Sequence, residues 1–195
     1  MAHEAKNFDH LLGNLKGISD DQLTAHFGLY KGYVAKLNEV ESKLAEADRS
    51  ATNYSFGEYS ELRRRHAVPF NGTYLHQMYF ENLTGDETDP SAEVKSAIES
   101  NFGSWANWEA DAKACAASTP GWVLLARNDL DGTLNHWIMY EHHIGLPVHQ
   151  RPILALDCWE HAFMIDYGTN KAEYLKAFVD NIDWRAVHER LAKLV

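Results

Sequence analysis

The chain has 195 residues, 28 acidic against 18 basic for a formal charge of −10, with 45% hydrophobic and 12% aromatic residues. This excludes a disordered tail, and no run approaches the roughly 18 apolar residues a membrane span requires. It also disfavours nucleic-acid binding through a basic face, because phosphate contacts need clustered Lys and Arg.

Arg63, Arg64 and Arg65 form the one basic cluster, and three arginines suit a solvated helix face. The opening MAHEAKNFDH carries no charged-then-apolar leader pattern, so the sequence reads as a soluble, cytoplasmic protein of one domain or two closely joined halves. Cys115 and Cys158 make no CxxC and read as structural thiols.

In chain order, Ser19 and Gln22 fit a capping box. Behind them Leu23, Phe27, Tyr30, Val34, Leu37 and Leu44 recur at helical spacing, which predicts a long amphipathic helix over about residues 19–48. A second helical region is expected from about Glu58, interrupted near Pro69 and resuming through GTYLHQMYFENL. The two make a helical hairpin. Gly85 and Pro90 in TGDETDP then mark a boundary, dividing the chain into 1–85 and 86–195.

Helical stretches follow from Ser91 to Phe102 and from Ser104 to Ala117. GWVLLARN and TLNHWIMY read as strands around an Asp131-Gly132 turn, and PILALD as a third strand. Helices over AEYLKAFVDNI and WRAVHERLAKL close the chain. The fold class is therefore α+β, with an N-terminal helical hairpin followed by a small three-stranded antiparallel sheet and helices.

Eleven histidines stand out in the composition. In LALDCWEHAFMIDYG, Asp157 and His161 are four apart, so a helical turn brings a carboxylate and an imidazole to one side, a metal-site pairing. Alone, such a pair is more often a helix cap and a core histidine. His26 shares a face of the first helix with Tyr30 and Tyr33, and His76 lies among Tyr74, Met78, Tyr79 and Phe80. Singly, each suits a packed core as well as a ligand.

DCWEHAFMIDY resembles the D-x-W-E-H-A-aromatic signature of the iron/manganese superoxide dismutases. HQMYFENL resembles the segment that carries their second histidine, and ISDDQLTAHFGLYKGYVAKLN resembles their opening histidine segment. FGSWANW and the Gly121-Trp122 strand start also match. The resemblance runs in order over nearly the whole chain. It implies His26, His76, Asp157 and His161 as metal ligands between the two halves, with bound water or hydroxide completing the site. It also implies superoxide as substrate, disproportionated to dioxygen and hydrogen peroxide by one Fe or Mn ion per subunit, with Fe preferred. The assembly it implies is a homodimer or a dimer-based tetramer.

YEHHIGLPVHQRPILALD resembles the branch in which a histidine replaces the glutamine beside the bound solvent. His142 is the candidate and His143 its competitor. Tyr33 is the expected gate of the substrate channel and Tyr30 the competitor. Trp122 and Trp159, with Tyr79 and Phe80, match the dry shell; Glu160 matches the residue that bridges to the partner subunit; Lys31 and Lys171 match positions near the channel mouth.

The chain departs from the family pattern by being one residue short between His26 and the Y-V-x-x-L-N segment, by carrying Tyr30 where a histidine is customary, and by Met164 in place of an aromatic. The last two changes together remove a cross-subunit hydrogen bond without orphaning either partner. Two other functions compete. A noncatalytic metal-binding protein of the same fold would keep the ligands, and a zinc-dependent hydrolase would use them on water, although HExxH is missing and no glutamate base stands out. Paired ExxH motifs for a di-iron bundle are also missing.

Overall fold

The computed structural model describes residues 2–193. The first long helix, α1, spans Asp20–Glu46. Ser19 caps it, its hydroxyl accepting the Gln22 amide hydrogen at 3.1 Å, and the stripe from Leu23 to Leu44 anticipated from spacing is its buried face. The box is only half formed, because the Gln22 side chain reaches away to His161 and Ile165.

The second helix, α2, spans Glu58–Glu81 and runs straight through Pro69, where an interruption was expected. Proline removes one amide donor from the ladder. The turns on either side remain supported by antiparallel packing on α1, which outweighs that single loss. A short 3-10 turn, Asp9–Leu11, precedes the hairpin and places Phe8 and Leu11 in the core.

In the second half, α3 (Ala92–Phe102) and α4 (Trp105–Ala117) are capped by the Ser91 and Ser104 hydroxyls. Gly103 between them ends α3 at φ +81°, a left-handed conformation in which glycine avoids the Cβ penalty. The strands β1 (Trp122–Asn128), β2 (Leu134–Met139) and β3 (Gln150–Asp157) form an antiparallel sheet ordered β2-β1-β3. The central strand β1 is the most apolar and its first five residues are buried.

A 3-10 turn over Glu160–Ala162 and a four-residue helix α5, Met164–Tyr167, follow β3. They were not separated from the signature segment in the sequence, since neither is long enough to show a period. Helices α6 (Lys171–Asp180) and α7 (Trp184–Ala192) complete the described chain; Leu194, at the end of the expected last helix, lies outside the described residues. One hydrophobic cluster runs from Phe8 and Phe27 through Phe80 and Trp122 to Phe178 and Val187, joining the hairpin to the sheet.

Two registers matter for the site. Trp122 pairs with both Met139 and Asp157, so Trp122 and Asp157 share one face of the sheet. That face receives α2, which packs against β3.

Candidate metal centre

Asp157 is the last residue of β3, and the 3-10 turn beyond it folds His161 back over the strand end. One carboxylate oxygen, Oδ1, accepts the Trp159 amide hydrogen at 2.9 Å. This leaves Oδ2 facing inward, 3.1 Å from Nε2 of His26 on α1 and 3.1 Å from Nε2 of His161. His76 on α2 puts its Nε2 3.6 Å from the same oxygen and 3.4 Å from His161 Nε2. The four donor atoms lie within 4.8 Å of one another.

The surroundings orient these donors. His76 Nδ1–H donates to the Gly72 carbonyl at 2.5 Å, so in the neutral ring the lone pair is on Nε2 and faces the cluster. Gln22 donates to the His161 carbonyl at 2.5 Å and accepts the Ile165 amide hydrogen at 3.0 Å, pinning the turn that carries His161. The Tyr174 hydroxyl holds the Asp157 carbonyl at 2.8 Å and shares a 3.2 Å bond with the Tyr79 hydroxyl. Such outer partners fix ring orientation and ligand basicity.

Electrostatics sort the protons. Burial lowers the pKa of His26, against the pull of Asp157, and brings His76 down to about 3. Burial alone would raise the Asp157 carboxyl, but hydrogen bonds from His161 and His26 win and hold it well below the ordinary range. The set is thus one carboxylate and three imidazoles, of which burial keeps His26 and His76 neutral, a donor combination that suits iron, manganese or zinc. His26, His76 and Asp157 are 0–1% exposed, whereas the His161 side chain is 30% exposed. Of the four donors, only His161 is reached by solvent in the single chain.

Beside the quartet stands a second group. Trp122 Nε1–H donates to His142 Nδ1 at 2.9 Å, His142 Nε2 lies 2.6 Å from the Tyr33 hydroxyl, and the Tyr33 ring stacks on His76 with centroids 5.1 Å apart. The indole can only donate, so Nδ1 must accept and the proton of the neutral ring is on Nε2. Burial lowers the His142 pKa, in keeping with a neutral ring. Asn71 donates to the His142 carbonyl at 2.5 Å and holds its loop to α2.

The family model for iron/manganese superoxide dismutases, C-terminal domain, matches residues 90–190. The chain is 37% identical to superoxide dismutase [Fe] of Aquifex pyrophilus, over 98% of this chain and 92% of that protein. It is 35% identical to superoxide dismutase [Fe] of Cupriavidus metallidurans, over 100% and 99%, and 33% identical to superoxide dismutase [Mn] 1 of Halobacterium salinarum, over 89% and 86%. The chain belongs to the iron/manganese superoxide dismutase family.

Within this family framework the remaining candidates take definite places. Tyr30 is buried away from the quartet against Phe8 and Phe80, its hydroxyl accepting the Lys6 amide hydrogen at 3.1 Å. His142, and not His143, lies between Trp122 and Tyr33; His143 is only partly buried. Trp159 stacks on His161 with an interplanar angle of 11°. Tyr79 and Phe80 pack on His26.

Glu160 is exposed, as are Met164 and Ile165 just after it. Lys31 lines a cleft with Tyr30 and the N-terminal segment, and Lys171 donates to the Thr119 carbonyl at 2.8 Å. Gln22, Asn71, Gly72 and Tyr174 escaped the sequence reading as site residues. Gln22 alone left a signal, its place in the cap, which pointed to a different job.

Proposed function

We propose that this protein converts superoxide to dioxygen and hydrogen peroxide with one bound iron or manganese ion per subunit, iron in the first place. The observation that carries the reading is the convergence of His26, His76, Asp157 and His161 on one point beside the Tyr33–His142–Trp122 chain. The bound ion would supply the redox chemistry, accepting an electron from one superoxide and giving it to a second, a cycle closed to zinc.

The chain's own residues do the rest. Three imidazoles and one carboxylate hold the ion at the seam between the 1–85 and 86–195 halves. His142 Nε2–H donates to the Tyr33 oxygen, so the Tyr33 hydroxyl proton is free to turn toward the site, a donor for the protons that peroxide formation consumes. Trp122 keeps His142 in the tautomer that makes this possible. This geometry supports the branch with histidine beside the bound solvent, with Tyr33 as the gate and Tyr30 as a core residue. Trp159 shields His161, and the dry walls of Tyr79, Phe80 and Trp122 strengthen electrostatic effects inside.

The reading includes a cytoplasmic homodimer or dimer-based tetramer, in which the exposed Glu160, Met164 and Ile165 next to ligand His161 meet the partner subunit. A hydrolytic use of the ligands lacks a base, since among the described residues no further acidic side chain joins the quartet.

The test is metal analysis of protein loaded separately with iron and manganese, paired with superoxide consumption by each form. Turnover with iron, or with either metal, supports the proposal. Full occupancy without turnover in both forms would leave a noncatalytic metal-binding protein.

A further inference from the structure

On the opposite face of the sheet, a second set of unlike donors meets. Asp111 and Cys115 are four apart on α4 and so share one face of that helix, and His136 comes from β2. One ligand atom from each lies within 4.8 Å of the other two. Strand geometry separates this set from the redox centre. His136 pairs with Leu125, three residues along β1 from Trp122, and side chains alternate faces, so His136 points away from the face that Trp122 and Asp157 share.

We propose that Asp111, Cys115 and His136 form an outlying site for a borderline-soft divalent cation, zinc foremost. Carboxylate, thiolate and imidazole are all zinc ligands, and three protein donors plus water fill its tetrahedron. Tetrahedral donors at zinc bond lengths stand about 3.4–3.6 Å apart. His136 Nδ1–H donates to Asp111 Oδ2 at 2.7 Å, so on capture of an ion this pair opens slightly and the ring proton moves to Nε2, freeing the Nδ1 lone pair, while the Asp111 side chain, 52% exposed, is free to move.

The His136 side chain is held in place, only 3% exposed and packed on Phe102 at 4.9 Å between ring centroids. Capture of the cation exchanges the Cys115 S–H bond for an S–metal bond and releases one proton to solvent.

The test uses the full chain with its redox site already filled by iron or manganese. Zn2+ is added, excess is removed, and all metals are counted; Co2+ serves as the optical probe. The proposal expects one additional zinc per chain with unchanged iron or manganese, proton release on binding, and a sulfur-to-cobalt charge-transfer band, which the thiol-free redox ligands cannot produce. Cys115→Ser should abolish the band and His136→Gln should weaken zinc binding by about 10²-fold or more, beyond the ~10–100-fold typical of an outer partner. Asp111→Asn, at an exposed position, should weaken it as well. No extra zinc, zinc bound equally by Cys115→Ser and Asp111→Asn, or zinc gained only as iron or manganese is lost would each overturn it. None of these outcomes depends on whether the protein turns over superoxide.

Discussion

Gly72→Ala is a substitution whose sign the structure decides against ordinary helix physics. In a helix interior, alanine for glycine is worth about 1 kcal/mol in stability, and Gly72 lies within α2. Here, however, a Cβ would stand 2.5 Å from Cδ1 and 2.8 Å from Cε1 of Tyr33, where ordinary contact begins at 3.4 Å, so the ring must retreat by about 0.9 Å. It is not free to do so, being stacked on His76 and bonded to His142.

Overpacking of this kind costs about 1–3 kcal/mol. Set against the propensity gain, the net expectation is a loss of about 0–2 kcal/mol, or up to roughly 8 °C in melting temperature for a chain of this size. Turnover should fall more sharply than stability, because displacement of Tyr33 breaks its bond to His142. The assay is urea denaturation at fixed metal occupancy beside superoxide consumption. Tyr33→Leu in the same background, by removing the ring, should recover the stability and not the turnover. A Gly72→Ala protein more stable than wild type by about 1 kcal/mol, with unchanged kinetics, would refute the packing argument.

Tyr33→Phe should retain the metal and lower turnover at high superoxide by about tenfold, below the usual ~10²–10⁴ for a general acid because water can substitute; Tyr30→Phe should leave turnover alone, and steady-state kinetics of the pair compares them. Cys158, buried and with its thiol pushed up to about 12 by that burial, should resist a thiol reagent at neutral pH until the chain is unfolded, as counted by mass spectrometry. Glu81 accepts from Lys6 at 2.6 Å and Arg190 at 3.0 Å; burial alone would raise its pKa, but these partners lower it below 4.5. Its stabilisation is therefore present above about pH 4.5 and lost as pH falls through the lowered folded value. With the side chain 30% exposed it is worth under about 1 kcal/mol. Denaturation of Glu81→Gln beside wild type should show a gap at pH 7 that closes in acid.

Helices α1, α3 and α4 were legible because each begins at a serine ahead of a helical stretch: Ser19, Ser91 and Ser104 all accept from the amide three residues on, whereas α2 has no side-chain cap. The strands were legible because Asp131-Gly132 separates two apolar runs. Proline was over-weighted at residue 69, since its local penalty competes with packing over the whole of α2, which no local window contains.

At the site, the four candidate donors sit in segments dense with aromatic and acidic neighbours. Their supporting partners do not: Gln22 and His161 are separated by 139 residues and Tyr174 acts through the backbone of Asp157. A side chain that bonds a distant carbonyl leaves no trace in local spacing. Helical spacing alone put Tyr30 and Tyr33 on one face, and only the family resemblance favoured Tyr33, because the partners that distinguish them, the Lys6 amide and His142, come from distant segments with no period.

The His26–Asp157 pairing spans 131 positions, and His76–His161 spans 85. Closing loops of that length forfeits chain entropy before any contact returns it, so the four donors are expected to meet only after the local helical contacts have formed. A chain emerging from the ribosome offers two imidazoles first, half a chelate, and gains the carboxylate only when the last strand is laid down. If an ion binds this cluster, selection between competing ions would fall to the nearly finished protein, once residues from both halves have met.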